Sequence, residues 1–355
     1  MLLSPEFRKK AEMKQNFLDL EKSEIEDFCQ QKGLPAYRAG QVFRWQARGI
    51  ASFEELTDLS KELREALDEA FYPGLPQAGK SLDSKLSSSR KAILTLKDGE
   101  IIEAVLMRHR YGLSACLSTQ AGCRMGCRFC ASTGLGFHRH LSRGELLGQL
   151  LWLQRQAGEK IDRIDLMGIG EPLENLEEVL AFIRRIRDEE SLNISPRKLT
   201  LSTCGLVPAM NELAQAGLPL TLAVSLHAPN QEIREKLMPV ARLYHYDELL
   251  RACKAYFAAT GRRVSFEYAL FKDVNDLPEH AEELARRLAD MQGHVNLIPA
   301  NAVAGTGLLA SGEKRCREFQ TILERRHIQV TLRRSLGQDI DAACGQLRRN
   351  QLSPS

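Results

Sequence analysis

Apolar residues recur at helical spacing in the first part of this chain and at strand spacing after it. Ile25, Phe28 and Cys29 lie about one helical turn apart, and the stretch 56–71 repeats apolar positions with the same period. We therefore predict a helical N-terminal unit over residues 1–75, with Ser23 capping its first clear helix. The pattern then changes to short strands, which predicts a β-meander and linker over 76–112.

From the strand predicted at 113–119 to the strand predicted at 328–334, strand and helix patterns alternate. Alternation of this kind is typical of βα units around a parallel sheet. About six units can be counted, which favours an α/β fold with a partial, open TIM-type barrel over 113–335, although the pattern alone does not exclude a Rossmann sheet. A C-terminal segment, 336–355, follows the barrel.

The composition is that of a folded protein in a reducing compartment. The chain has 355 residues, 43% of them hydrophobic and 27% charged, with a formal net charge of +3. No apolar run is long enough for a membrane helix or a signal peptide, so we expect a cytoplasmic protein with no membrane partner. Nine cysteines, four of them between Cys116 and Cys130, suit a ligand cluster better than a disulfide framework.

Three of these cysteines form the strongest motif. Cys123, Cys127 and Cys130 have the spacing C-x3-C-x2-C, with glycines between them that let the backbone turn tightly. Three thiolates can hold a [4Fe-4S] cluster and leave one iron open to a substrate or cofactor. The alternative is a structural zinc site, whose fourth ligand would be Cys116, His138 or His140.

The motifs together resemble a known family. The cysteine loop with Phe129 before its last cysteine, followed by Gly-Glu-Pro, is similar to the radical S-adenosylmethionine (SAM) enzymes. The ordered segments SxxxGCRMGCRFC, GxGEPLxN, LSTCGLVP, SLHAPN, NLIPxN and DIDAACGQL resemble the dual-specificity ribosomal and transfer RNA adenine-C2 methyltransferases over nearly the whole chain. The C8-methylating antibiotic-resistance enzymes share almost every motif and remain an alternative.

The resemblance implies a role for each matching position. Cys123, Cys127 and Cys130 would hold one [4Fe-4S] cluster. SAM would be contacted by the residues at the ends of later strands, although individually the serines and the asparagine also fit ordinary strand-end and turn positions. These residues are Gly170, Glu171, Ser202, Ser225, Leu226, His227 and Asn301.

The family's reaction, carried over, uses two SAM molecules per turnover. One methylates Cys344, and the other is cleaved reductively to a radical that takes a hydrogen from the S-methyl group. The methylene radical adds to an adenine of 23S rRNA or of tRNA. Glu103 would then remove the proton from the substituted carbon, and Cys116 would form a disulfide with Cys344 to free the product. An electron donor such as flavodoxin or ferredoxin is implied.

Simpler interpretations exist for the residues outside the cysteine motif. Glu103 shares a strand face with apolar residues, which would raise the pKa of a buried carboxyl, but it would equally suit an edge strand with its carboxylate in solvent. Cys116, like Cys29, Cys253 and Cys316, fits a buried core thiol, and Cys204 has no assigned role.

The stretch 104–144 contains six arginines and no acid, as expected near RNA. An RNA-binding module with a structural zinc site is the third reading.

Overall fold

The fold is built from three N-terminal helices, a ten-stranded sheet and seven helices that cover it. A computed structural model describes residues 14–300, 306–333, 338–340 and 346 of the chain. The helices are α1 (Lys22–Gln31), α2 (Tyr37–Gln46), α3 (Lys61–Ala70), α4 (Arg143–Ala157), α5 (Leu176–Arg187), α6 (Val207–Gln215), α7 (Gln231–Leu237), α8 (Tyr246–Thr260), α9 (Pro278–Leu288) and α10 (Glu313–Arg325). The strands are β1 (Gln77–Asp83), β2 (Ser89–Thr95), β3 (Ile101–His109), β4 (Gly112–Cys116), β5 (Ile161–Leu166), β6 (Leu199–Thr203), β7 (Thr221–Ser225), β8 (Val264–Leu270), β9 (Gly293–Pro299) and β10 (Val330–Leu332).

The strands lie in the sheet in the order in which they occur along the chain. β1 to β4 are antiparallel neighbours, whereas β4 to β10 are all parallel. β4 is therefore the transition, pairing antiparallel with β3 and parallel with β5. Six connections that each contain a helix join the seven parallel strands, which confirms the prediction of an open α/β barrel of about six units.

Local signals explain where the barrel helices begin and end. Ser142 caps α4 in a capping box with Glu145, and Gly158 ends that helix in the left-handed conformation. Every residue of β8 is buried, as expected for a central parallel strand covered on both faces.

Some predicted details are wrong. Ser23 does not cap α1, because it lies inside the helix. Glu21 is the N-cap, and its backbone amide donates to the carboxylate of Glu24 (2.8 Å). The sequence pattern also missed α2, the two-turn helix α7 and the exposed strand β1, which carry little apolar periodicity over their short length.

The N-terminal helices pack against the barrel through specific polar contacts as well as apolar ones. The amide of Gly144, in the first turn of α4, donates to Asp19 (2.6 Å), and the buried guanidinium of Arg185 in α5 donates to the carbonyl of Leu20 (2.6 Å) and to Gln46. These bonds fix the helical unit over the outer face of α4 and α5.

No helix in the described part of the chain is long and apolar enough to cross a membrane.

Candidate functional site

The cysteine loop leaves the sheet after β4 and is closed by a short antiparallel pair, Gln120–Gly122 with Phe137–His140. Gly122 has φ of +79°, and a Cβ there would overlap the carbonyl oxygen of Gly136. The amide of Cys123 donates to that same carbonyl (2.9 Å). A side chain at position 122 is therefore excluded both by conformation and by space, and the glycine allows the loop to turn back on itself.

The three thiols of this loop line one open pocket of about 870 Å³ at the carboxyl ends of the parallel strands. This is the edge of a barrel at which catalytic groups usually lie. The pocket brings together residues that lie up to 210 positions apart in the chain, from Cys123 to Arg333. Its lining contains Cys123, Met125, Cys127, Phe129, Cys130, Thr133, Met167, Gly170, Glu171, Ser202, Cys204, Ser225, His227, Met238, Glu267, Ile298 and Arg333.

The thiols suit a cationic iron centre. Burial, and after it the negative charges of Cys130 and Cys123, raise the pKa of Cys127 well above the usual thiol value. Thiolates crowded in this way are stabilised by a bound cation. Three cysteine ligands and an adjoining pocket match what a [4Fe-4S] cluster with one open iron needs.

The zinc alternative requires a fourth ligand next to the three cysteines. No group of three or more His, Cys, Asp or Glu side chains within the residues that the structure describes is placed to hold a single metal ion. A four-iron cluster binds each thiolate on a different iron, so its ligands stand farther apart than those of one ion. His138 contacts Glu100, His140 contacts Gln120, and Cys116 does not line the pocket.

The loop after β5 places Glu171 at the pocket with its carboxylate held at several points. Its oxygens accept the amides of Leu173 (3.1 Å) and Cys204 (2.8 Å), and its own amide donates to the buried side chain of Gln120 (2.9 Å). Burial raises the pKa of Glu171, while these hydrogen bonds oppose that shift. Gly170 precedes it with φ of +111°, where a Cβ would press on Gln120.

His227 follows β7 in a left-handed conformation (φ +51°) that is unusual for this residue type. Its Nδ1 accepts the amide of Ala269 (2.9 Å), and the side chain of Asn275 donates to its carbonyl (2.7 Å). Burial, with the nearby charge of Arg234, lowers the pKa of His227 to about 3. The ring is therefore neutral at physiological pH, with its proton on Nε2.

The remaining predicted SAM-contacting residues divide into three groups. Ser202 and Ser225 line the pocket, and the hydroxyl of Ser202 donates to the carbonyl of Leu166 (3.2 Å). Leu226 is fully buried in the main core, so its side chain does not face the pocket. Asn301 lies outside the described residues.

Glu103 and Cys116 lie on neighbouring strands, away from the lining of the pocket. Glu103 is completely buried, with its carboxylate 3.6 Å from the Nζ of the equally buried Lys91. The alternative interpretation of Glu103, an edge-strand carboxylate in solvent, is therefore wrong, because the side chain is buried and β3 lies between β2 and β4 rather than at the sheet edge. Cys116 pairs in register with Val105, on the strand face that also carries Glu103, and packs against Ile169. Cys344 lies outside the described residues, and no disulfide joins two described cysteines.

The arginine-rich stretch is not an unopposed basic surface. Four of its six guanidiniums pair with carboxylates from other parts of the chain, which the local sequence does not reveal. The pairs are Arg108 with Glu159, Arg124 with Glu174, Arg139 with Asp98 and Glu145, and Arg143 with Glu21 and Glu178. Arg128, within the cysteine loop between Cys127 and Cys130, is exposed and forms no ion pair with a described acidic residue.

Several pocket residues carry no sequence signal that singles them out. Glu267, in the middle of the apolar strand β8, accepts from Asn296 (2.8 Å) and lies 3.3 Å from the guanidinium of Arg333. Met238 reaches the pocket from the end of α7, a helix that the pattern missed. Glu267 alone carried a signal that could have been used, because a charged residue within an otherwise apolar strand usually faces a polar interior or a site.

Comparisons with known proteins agree with this geometry. Residues 117–288 match the model of the radical SAM superfamily, and residues 15–72 match the N-terminal domain model of ribosomal RNA large subunit methyltransferases. A probable dual-specificity RNA methyltransferase RlmN from Desulforamulus reducens is 48% identical over 95% of this chain and 96% of its own. Its counterpart from Pelotomaculum thermopropionicum is 50% identical over 94% of this chain and 91% of its own.

A solved structure is similar over the same extent. The crystal structure of a radical SAM methyltransferase from Sphaerobacter thermophilus is 40% identical, with a TM-score of 0.90. The similarity covers 94% of this chain and 99% of that one. The likeness therefore includes both the N-terminal helices and the barrel.

Proposed function

Because this chain belongs to the RlmN family of dual-specificity RNA methyltransferases, we propose that it methylates carbon 2 of an adenine in the peptidyl-transferase centre of 23S rRNA and of an adenine next to the anticodon of tRNA. It is a SAM-dependent enzyme of the radical SAM superfamily, which implies a [4Fe-4S] cluster. The relatives compared above are dual-specificity enzymes, which does not favour the C8-methylating alternative. The proposal includes a cytoplasmic location and reduction by a flavodoxin or ferredoxin.

The observation that carries the proposal is the convergence on one pocket of the three thiols with Glu171, Ser202 and His227. The thiols would hold the cluster, and the buried carboxylate of Glu171 would accept the amine of SAM. The neutral ring of His227, flanked by Phe129 at 4.7 Å between ring centroids, would bound the site without adding charge. These groups come from four different strand ends, so only the folded barrel assembles them.

The chemistry needs a radical because carbon 2 of adenine has no lone pair with which to attack a methylsulfonium group. The bound cluster would supply one electron that cleaves SAM to a carbon radical. We propose that Cys344 carries the methyl group to be delivered, that Glu103 takes the proton from the substituted carbon, and that Cys116 attacks the sulfur of Cys344. That last step forms a disulfide as the carbon–sulfur bond to the product breaks, and the released carbon takes up a proton to become the methyl group. The unpaired electron left by the radical addition would return to the bound cluster.

The decisive experiment is anaerobic reconstitution followed by incubation with SAM, a reductant and 23S RNA that lacks the methyl group. Nuclease digestion and mass spectrometry should find 2-methyladenosine. In a second reaction, tRNA tests the dual specificity. Product methylated at carbon 8, or no methylated adenosine from an enzyme that cleaves SAM, would contradict the proposal.

The cluster ligands are tested separately. Replacing Cys123, Cys127 or Cys130 with Ala removes one of three protein ligands and should abolish both iron loading, about four irons per chain in the unchanged protein, and release of 5'-deoxyadenosine. Cys29→Ala, at a buried thiol in the N-terminal unit, is the matched control and should load iron normally. Stoichiometric zinc without iron in the reconstituted protein would favour the RNA-binding module.

A further inference from the structure

Arg234, in α7, is a fully buried arginine directly behind the pocket, although it does not line it. One of its terminal nitrogens, Nη2, donates to the carbonyls of Cys204 (2.6 Å) and Ser225 (3.3 Å). Its Nε and its other terminal nitrogen, Nη1, are buried without a hydrogen-bond partner among the described residues. A guanidinium with two unused donors in a dry interior is costly unless a negative charge lies nearby.

No described acidic residue forms an ion pair with this guanidinium. Glu171 and Arg234 both bind Cys204 but at different groups: the carboxylate of Glu171 accepts its amide, and Arg234 donates to its carbonyl. Burial lowers the pKa of Arg234, and the groups that oppose this shift are the thiols of Cys204, Cys127 and Cys253 and the phenol of Tyr246. The buried positive charge therefore faces thiols, one of which belongs to the cysteine motif.

The packing around α7 brings this charge and the cysteine loop together. The amide of Arg128 donates to the carbonyl of Leu237, the last residue of α7, at 2.9 Å. Cys127, Phe129 and Met125 pack on the same small apolar cluster as Ile233 and Leu237. This surrounding is apolar, so a charge here acts over a longer range than it would in water.

We infer that Arg234 is the buried counter-cation of the thiolate-bound iron cluster and that it raises the reduction potential of that cluster. The inference rests on the proposed function only in requiring the cluster to be present. Each thiolate ligand adds a negative charge, and one-electron reduction by the external donor adds another. A fixed positive charge behind Cys127 stabilises the reduced state more than the oxidised one, and so favours electron uptake.

The test separates the charge of Arg234 from its hydrogen bonds. Arg234→Gln keeps a donor for the Cys204 carbonyl but removes the charge, whereas Arg234→Lys keeps the charge. Arg185→Gln is the matched control, because Arg185 is also buried but donates to Leu20 and Gln46 in the N-terminal unit. The midpoint potential of each reconstituted protein is measured by redox titration with electron paramagnetic resonance, without SAM or RNA.

At a fixed applied potential we expect Arg234→Gln to hold about tenfold less reduced cluster relative to oxidised cluster, a shift of about 59 mV to lower potential. Arg234→Lys and Arg185→Gln should titrate close to the unchanged protein. Failure of Arg234→Gln to load iron, with loading and potential retained in Arg234→Lys, would also support the inference.

Three results would overturn it: an unchanged potential in Arg234→Gln, loss of the cluster in both Arg234 variants, or loss of the far-ultraviolet circular dichroism of Arg234→Gln without iron. The last two would mean that Arg234 has a structural role only. If the unchanged protein binds no iron, the proposed function itself fails. If it binds iron and Arg234→Gln keeps the same potential, only the inference about Arg234 fails.

Discussion

At the scale of single residues, Glu103 has two roles to separate: it forms a buried ion pair with Lys91, and it is the proposed proton acceptor. Both side chains are completely buried on neighbouring strands. Removing one partner of such a pair usually destabilises a protein by about 3–5 kcal/mol, because the other charge stays buried. An experiment on Glu103 must therefore separate lost stability from lost basicity.

Glu103→Gln should leave methylation of Cys344 intact but greatly slow release of the methylated RNA, because an amide cannot accept the proton. Mass spectrometry of the Cys344 peptide and denaturing gels of the protein–RNA adduct measure the two steps. Lys91→Met breaks the same ion pair but keeps the carboxylate, so it should lose similar stability in urea and still release product. Release at the unchanged rate in Glu103→Gln would give Glu103 a structural role only.

His227 makes the stability of the protein depend on pH. Its pKa of about 3 in the folded state lies below the value of about 6.5 in the unfolded state. Between these values the unfolded chain binds more protons, so this residue contributes stability above pH 6.5 that is lost as the pH falls towards 3. The slope should approach about 1.4 kcal/mol per pH unit.

His227→Asn should remove that slope, and asparagine also tolerates the left-handed backbone. Urea unfolding at pH 6.5, 5.5 and 4.5 measures the free energy of unfolding. His327→Asn is the matched control, since His327 has φ of +59° but is exposed. Equal slopes in the His227 variant and the unchanged protein would show that the ring is not held neutral.

At the scale of elements, the cysteine loop depends on the short strand pair that closes it. Gly122→Ala should prevent iron loading and lower the midpoint of thermal unfolding, because the added Cβ meets the Gly136 carbonyl and φ is +79°. Gly136→Ala has a similar φ of +69° but free space, so it should cost about 1–3 kcal/mol of backbone strain and still load iron. Equal iron content in the two variants would show that the close approach does not matter.

At the scale of the whole molecule, the proposed reaction requires Cys344, at the end of the chain, to act with Cys116, on β4. Cys116→Ala should still methylate Cys344 and join it to adenine, but it removes the thiol that breaks the linkage. Protein should accumulate covalently bound to RNA as an RNase-sensitive, slowly migrating band on denaturing gels.

Cys253→Ala is the control for loss of a buried thiol, because Cys253 is fully buried in the main core. It should lose some stability through the cavity left behind but turn over normally. If Cys116→Ala behaves in the same way, with full methyl transfer and no adduct, Cys116 is a packing residue.

Local patterns alone determined much of this protein. The apolar periodicity predicted the open βα barrel, because central strands such as β8 are buried on both faces and most barrel helices on one, and both patterns can be read from neighbouring residues. The cysteine motif and the glycines within it were also readable, because loop ligands need short spacing. Ser202, Ser225 and His227 were placed at strand ends on the same grounds, helped by the family resemblance.

Only the tertiary structure decided what distant segments contribute to one another. Glu103 is buried because β2 and β4 flank its strand, and the arginines of 104–144 are mostly neutralised by acids from Glu21 to Glu178. Arg234 lies in a short helix with no chemical motif, and its relation to Cys127 appears only when α7 packs on the cysteine loop. Electrostatic interactions act through space, so their partners cannot be found from order along the chain.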